Sequence, residues 1–141
     1  MFKTLLVPVD LTQESSWRKV LPVAVDQARH QNAVLHVMTV VDINLDIIAI
    51  RLPEDFREQH LAQVEQRLAA LVKRQVPDDL EVHIQVREGR TYQEILRVAD
   101  GIGAELIILA SHRPSLQHYL LGSNAARVVR HAGCSVMIVR D

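Results

Sequence analysis

Residues 106–140 read LIILASHRPSLQHYLLGSNAARVVRHAGCSVMIVR. An apolar run stops at the polar Ser111-His112-Arg113-Pro114, and a helical pattern restarts at Gly122-Ser123-Asn124 before a second apolar run, SVMIVR. Short, continuous apolar runs are expected of strands buried on both faces of a parallel sheet. A helix joining two of them makes a βαβ unit, whose crossover is right-handed.

The same alternation extends to the N-terminus. TLLVPVD and AVLHVMTVV are two more doubly buried strands, separated by Trp17, Val20, Leu21, Ala24, Val25 and Ala28 at helical spacing. Pro22 falls inside that pattern, where it either kinks the helix or marks the start of its regular part. DINLDIIAIRLPED has no clear period and reads as a loop or short helix. A long helix follows from Pro53, with Phe56, His60, Leu61, Val64, Leu68, Leu71 and Val72 as its buried stripe.

LEVHIQV alternates strictly, with Leu80, Val82, Ile84 and Val86 on one face, and is placed at a sheet edge. TYQEILRVADGIG opens with Thr91 and Glu94 at capping-box spacing, presents Tyr92, Ile95, Leu96 and Ala99 inward, and ends at Gly101 or Gly103. Five strands alternating with four helices define an α/β, doubly wound parallel sheet, read as one domain over residues 1–141. Ligands of such sheets sit beyond the carboxyl ends of the strands, where the strand order reverses. The loops after Val9, Val40, Val86 and Ala110 are therefore where a site is expected.

Composition narrows the function classes. A formal net charge of −1 gives no electrostatic footprint for nucleic acid or an anionic membrane. No stretch approaches the ~20 apolar residues of a transmembrane helix, and MFKTLLVPVD is too short an apolar run for a signal peptide. Cys134 is the single cysteine, so no intramolecular disulfide forms. A cytoplasmic protein is expected.

Four groups of residues are candidates for a site. Asp10 follows the first strand, where its carboxylate either accepts a ribose hydroxyl or caps the next turn with Thr12. Gly122, Ser123 and Asn124 open a helix whose outward N–H groups and positive dipole end suit a phosphate; a plain N-cap is the rival reading. Arg113, beside His112 at the end of its strand, has the fork geometry that pairs with phosphate oxygens, or is a solvated loop residue. His112, His118 and Cys134 lack a zinc spacing, so no metal is expected. No Ser-His-Asp order or paired-carboxylate spacing stands out, so no catalytic residue is assigned.

Taken together, LLVPVD, AVLHVMTVVD, VREGRTYQEILRVA and the ASHRP…YLLGSNAA block make the chain resemble the universal stress protein superfamily over essentially its whole length. The resemblance implies a sheet of order 3-2-1-4-5 and a homodimer paired through the final strands. For one branch it implies ATP or AMP, with Mg2+ where ATP is bound, held by a Gly-x-x-Gly-x9-Gly-Ser/Thr loop. Carried over by residue, Asp10 meets the ribose, Pro8 and Val9 line the adenine side, Val40 offers backbone contacts to adenine, and Gly122, Ser123 and Asn124 hold phosphates.

The first two loop glycines are replaced by Ala110 and Arg113, and eight residues rather than nine separate Arg113 from Gly122. Arg113 precedes Pro114 and is biased towards extended backbone. Phosphate contacts in this loop therefore fall to side chains, among them Ser111, His112 and Arg113. Two functions follow from the resemblance. One is a nucleotide-binding regulatory protein with at most slow ATP hydrolysis; the other is a nucleotide-free protein acting through an unknown protein partner. A phospho-accepting receiver domain would need an acidic cluster after the first strand, an aspartate after the third and a lysine after the fifth. Here the third strand runs into REGR and the chain ends at VRD.

Overall fold

The computed structural model describes residues 1–42, 54–111 and 121–140. The irregular segment expected between the second strand and the long helix, together with His112, Arg113, Pro114 and His118, lies outside the described residues. Strands β1 (Thr4–Pro8), β2 (Val34–Asp42), β3 (Val82–Gly89), β4 (Leu106–Ala110) and β5 (Ser135–Val139) pair in parallel in the order 3-2-1-4-5. Helices α1 (Val20–Gln31), α2 (Glu54–Gln75), α3 (Thr91–Ile102) and α4 (Ser123–His131) complete the doubly wound arrangement, with a short 3-10 turn at Glu14–Ser16.

Alternation along the central strands divides the core in two. Leu5, Val7, Leu35, Val37, Leu106 and Ile108 face α1 and α2, packing on Leu21, Ala24, Leu68 and Leu71. Leu6, Met38, Ile107 and Leu109 face the other way, against Ile95, Val98 and Ala99 of α3 and Ala125 and Val128 of α4. Because both faces are covered, β1 and β4 must be apolar at successive positions, which is why they read as unbroken runs. The strand at the β3 edge differs: only alternate residues, Val82, Ile84 and Val86, pack on the core, so its sequence alternates.

Several local features depart from the sequence reading. Pro22 is the third residue of α1, in the first turn, where its missing N–H breaks no intrahelical bond. Trp17 precedes α1, though its carbonyl accepts the Leu21 amide at 3.0 Å. Phe56 is 56% exposed, and the buried stripe of α2 starts only at Val64. The guanidinium of Arg57 instead anchors that first stretch, gripping Glu88 on β3 at 2.7 and 3.0 Å. β3 runs three residues past Val86, because Arg87, Glu88 and Gly89 pair with Val40, Val41 and Asp42.

No capping box forms at α3. Arg90 is the N-cap without a side-chain hydrogen bond, and the Thr91 hydroxyl donates to Asp42 Oδ2 at 3.2 Å. Glu94 is turned inward and buried, pairing with Arg97 and packing under Gly89. Gly103 ends the helix in the left-handed region, with φ 66°.

Gly89 has φ 150°, and a Cβ placed there would lie 2.9 Å from Glu94 Cγ. Gly89→Ala is therefore expected to cost about 1–3 kcal/mol through backbone strain and crowding, read from urea unfolding midpoints at constant m-value. A second measurement concerns His36 on β2. Burial first, and the neighbouring His83 second, hold its imidazole below the usual 6.5, with Glu81 opposing. The unfolded chain then takes up the proton more readily, so stability is complete above that ordinary value and declines as pH falls below it. His36→Gln should flatten the acid limb of stability between about pH 7 and 5; a limb of unchanged slope would show that other groups carry it.

Candidate functional site

The strand order reverses between β1 and β4, and there the two strands part. β1 pairs with β2 as far as Pro8–Met38, but with β4 only at Leu5–Leu106 and Leu6–Ile107, while β4 continues to Ala110. The gap beyond opens into a cavity of about 570 Å³. Its floor is the ends of β1, β2 and β4. One wall is the start of α4, the opposite wall is the Leu11–Ser16 loop with one side of α2, and Thr91 and Ile95 of α3 close it below.

Asp10 stands at the end of β1, locked by its own turn. Its Oδ1 accepts from the Thr12 amide at 2.9 Å and the Thr12 hydroxyl at 2.6 Å. Its amide donates to Ser16 Oγ at 2.8 Å, and the Ser16 hydroxyl donates back to the Asp10 carbonyl at 2.8 Å. Among the described residues Oδ2 makes no hydrogen bond, so the carboxylate is held by one oxygen and presents the other. The turn contact with Thr12 and a ligand role are thus compatible: the first orients what the second would use.

Across the cavity, Gly122 is the N-cap of α4, with φ −61° and ψ 155°, and no side chain caps the helix. Ser123 and Asn124 are exposed within the first turn rather than folded back as caps. Among the described residues the first-turn amides of α4 therefore have no side-chain acceptor, and no acidic side chain lies in that turn to neutralise the positive end of the dipole. Gly122 itself is buried. Its amide donates to the Ser111 carbonyl at 3.3 Å, and the Ser111 amide donates to the Val139 carbonyl at 3.1 Å. Ser111 thereby fixes the start of α4 to the ends of β4 and β5.

Pro8, Val9, Asp10, Val40, Ala110, Gly122, Ser123 and Asn124 all line this one cavity. Ser111 is buried behind it, and His112 and Arg113 lie outside the described residues. Val40 projects its backbone towards the gap. Met38 accepts the Val9 amide at 2.8 Å, and the alternation of the ladder turns the N–H and C=O of Val40 to the same side, past the last β1 pair.

Sequence reasoning overlooked Thr39, Asp42, His60 and Arg67, which also line the cavity. Two of them carried a signal. Thr39 is a polar residue inside an apolar strand, and Asp42 is the carboxylate that ends β2, as Asp10 is the one just past β1. His60 and Arg67 look like solvated positions of a long helix, and only the parting of the strands brings them to the site. The loop position flagged after Val86 moves to the end of β3 at Gly89, next to Thr91.

Among the described residues no group of three or more histidine, cysteine, aspartate or glutamate side chains is placed to hold a metal ion. Burial, aided by the charge of Asp100, pushes the Cys134 thiol up, away from the thiolate a nucleophile needs. No described helix is long and apolar enough to cross a membrane.

This architecture, a parallel sheet with its crevice at the β1/β4 reversal, defines a class of doubly wound ligand-binding folds. The chain belongs to the universal stress protein family, whose pattern it matches over residues 1–140. It is 32% identical over 143 residues to universal stress protein G of Escherichia coli O157:H7, covering 99% of this chain and all of that one. In structure it resembles the universal stress protein UspA of Lactobacillus plantarum, with TM-score 0.71, 22% identity, and 99% and 98% of the two chains covered. It also resembles a universal stress protein crystallised in complex with cAMP, with TM-score 0.64, 24% identity, and 99% and 97% covered.

The Thr39 hydroxyl, buried and 2.8 Å from the Val9 carbonyl, bridges two walls of the site. Thr39→Val should cost about 1–2 kcal/mol by leaving that carbonyl unpaired; a variant as stable as the wild type in urea would show that the bridge is replaced without loss.

Proposed function

We propose that this protein binds an adenine nucleotide, ATP or AMP, in the cavity at the carboxyl end of the sheet, and works as a single-domain cytoplasmic regulator of a stress response. The observation that carries the reading is the pairing of a pre-oriented carboxylate, Asp10, with the uncapped start of α4 across one cavity. A nucleotide needs both ends: an acceptor for ribose hydroxyls and amide donors for phosphate. The backbone of Val40, on β2 to the other side of Asp10 from α4, is suited to the edge of a base. That a structural relative was crystallised with cAMP supports the same chemistry here.

The regulator is proposed to act as a homodimer through β5. That strand is at the sheet edge, and its residues Val136 to Val139 are only half-buried on both faces. An apolar edge with unpaired backbone groups is a template for a second strand.

A second reading, a nucleotide-free protein acting through a protein partner, is favoured by Ala110 and Arg113 standing where the nucleotide-binding branch has glycines. Calorimetry with ATP and AMP, with and without Mg2+, separates the two. The nucleotide reading expects saturable binding that Asp10→Ala weakens about tenfold, the equivalent of ~1.4 kcal/mol. Absence of binding at millimolar nucleotide, or equal affinity in the variant, would sink it and leave the partner-binding reading.

A further inference from the structure

Far from the cavity, two histidines face each other across the β2–β3 pairing. His36 and His83 are direct register partners, with ring centroids 5.1 Å apart and ring planes inclined by 32°. His36 Nδ1 is the one described buried side-chain polar atom without a hydrogen-bond partner. His83 is half exposed, and its Nε2 lies 2.8 Å from Glu81 Oε2. A carboxylate only accepts, so Nε2 carries the proton, and in the neutral ring the lone pair is left on Nδ1.

We propose that His36 and His83 form a two-histidine site for a divalent late transition-metal ion, bound through the Nδ1 atoms, with Glu81 orienting His83 from outside and water completing the coordination. Imidazole is a favoured ligand for zinc, copper and nickel. A carboxylate holding the far nitrogen of a ligating histidine is the usual second shell, fixing tautomer and raising basicity.

The spacing fits. With metal–nitrogen bonds of about 2.0–2.1 Å, each ring centre lies about 3.2 Å from the ion. Two rings at a tetrahedral angle then have centroids about 5.2 Å apart, against 5.1 Å here. Binding would also give the orphaned His36 nitrogen the partner it lacks. His36 is four residues before Val40, about 13 Å along the strand, so the ion site is separate from the carboxyl-end cavity and stands or falls independently of the nucleotide reading.

The test is calorimetric titration of chelator-treated protein with Zn2+ near pH 7.5. One ion per chain is expected, with His83→Gln abolishing binding and Glu81→Gln weakening it about tenfold. Asp10→Ala, at the carboxyl-end cavity, should bind Zn2+ as the wild type does. His83 carries the test because it is exposed and its replacement leaves the interior intact. No heat of binding up to 100-fold above micromolar Zn2+, or undiminished binding in His83→Gln, overturns the site; unchanged affinity in Glu81→Gln overturns the assigned nitrogen geometry.

Discussion

Strands β1 and β4 are neighbours for only two residues, and almost every feature of the molecule's carboxyl end depends on their separation. The chain winds outward from β1 through β2 to β3 on one side, and α3 then carries it across the sheet face to β4 and β5 on the other. Among the described residues no strand pairing joins β1 to β4 beyond Leu6 and Ile107. The Val9 carbonyl, at the end of β1, is taken up by a side chain, the hydroxyl of Thr39. The Asp10 turn closes on itself through Thr12 and Ser16. The result is a rim in which polar groups are held in place by local bonds yet retain unspent hydrogen-bonding capacity.

The two half-cores stabilise this arrangement from below. Leu5, Leu6, Ile107 and Ile108 are fully buried beneath the split, so the strands diverge from a rigid base. α3 and α4 then contribute to the cavity by their first turns, and α2 by one side of its middle. The first turns of α2 and α3 are steered by polar contacts: Arg57 holds Glu88 near the end of β3, and Thr91 reaches Asp42 at the end of β2. α4 is steered by backbone, through the Gly122–Ser111–Val139 chain of hydrogen bonds.

The sheet was largely legible in the amino-acid pattern because burial on both faces keeps β1 and β4 apolar at successive positions, and burial on one face imposes alternation on β3. The strand order came from family resemblance, not from periodicity. What the pattern hid were features set by tertiary partners. Arg87-Glu88-Gly89 looks like a loop, yet its backbone completes a ladder with Val40–Asp42. Thr91 and Glu94 have the spacing of a capping box, but Asp42 and Arg97 take the two side chains. Phe56 fits a helical stripe whose first turns do not reach the core. At the site, Asp10, Val40 and Gly122–Asn124 were readable because they sit at strand and helix ends; His60 and Arg67 were not, since mid-helix residues reveal nothing about which cavity they border.

The crevice has an apolar part shared with the core, through Val9, Ile95, Leu109 and Ala125, and a polar mouth that is not. Asp10, Ser123 and Asn124 are exposed and absent from both hydrophobic clusters. Mutational drift at the mouth of the crevice therefore meets little resistance from folding, so a lineage can change what it recognises one side chain at a time while inheriting its scaffold unaltered. Structures sharing under a quarter of their residues with this chain already keep its backbone.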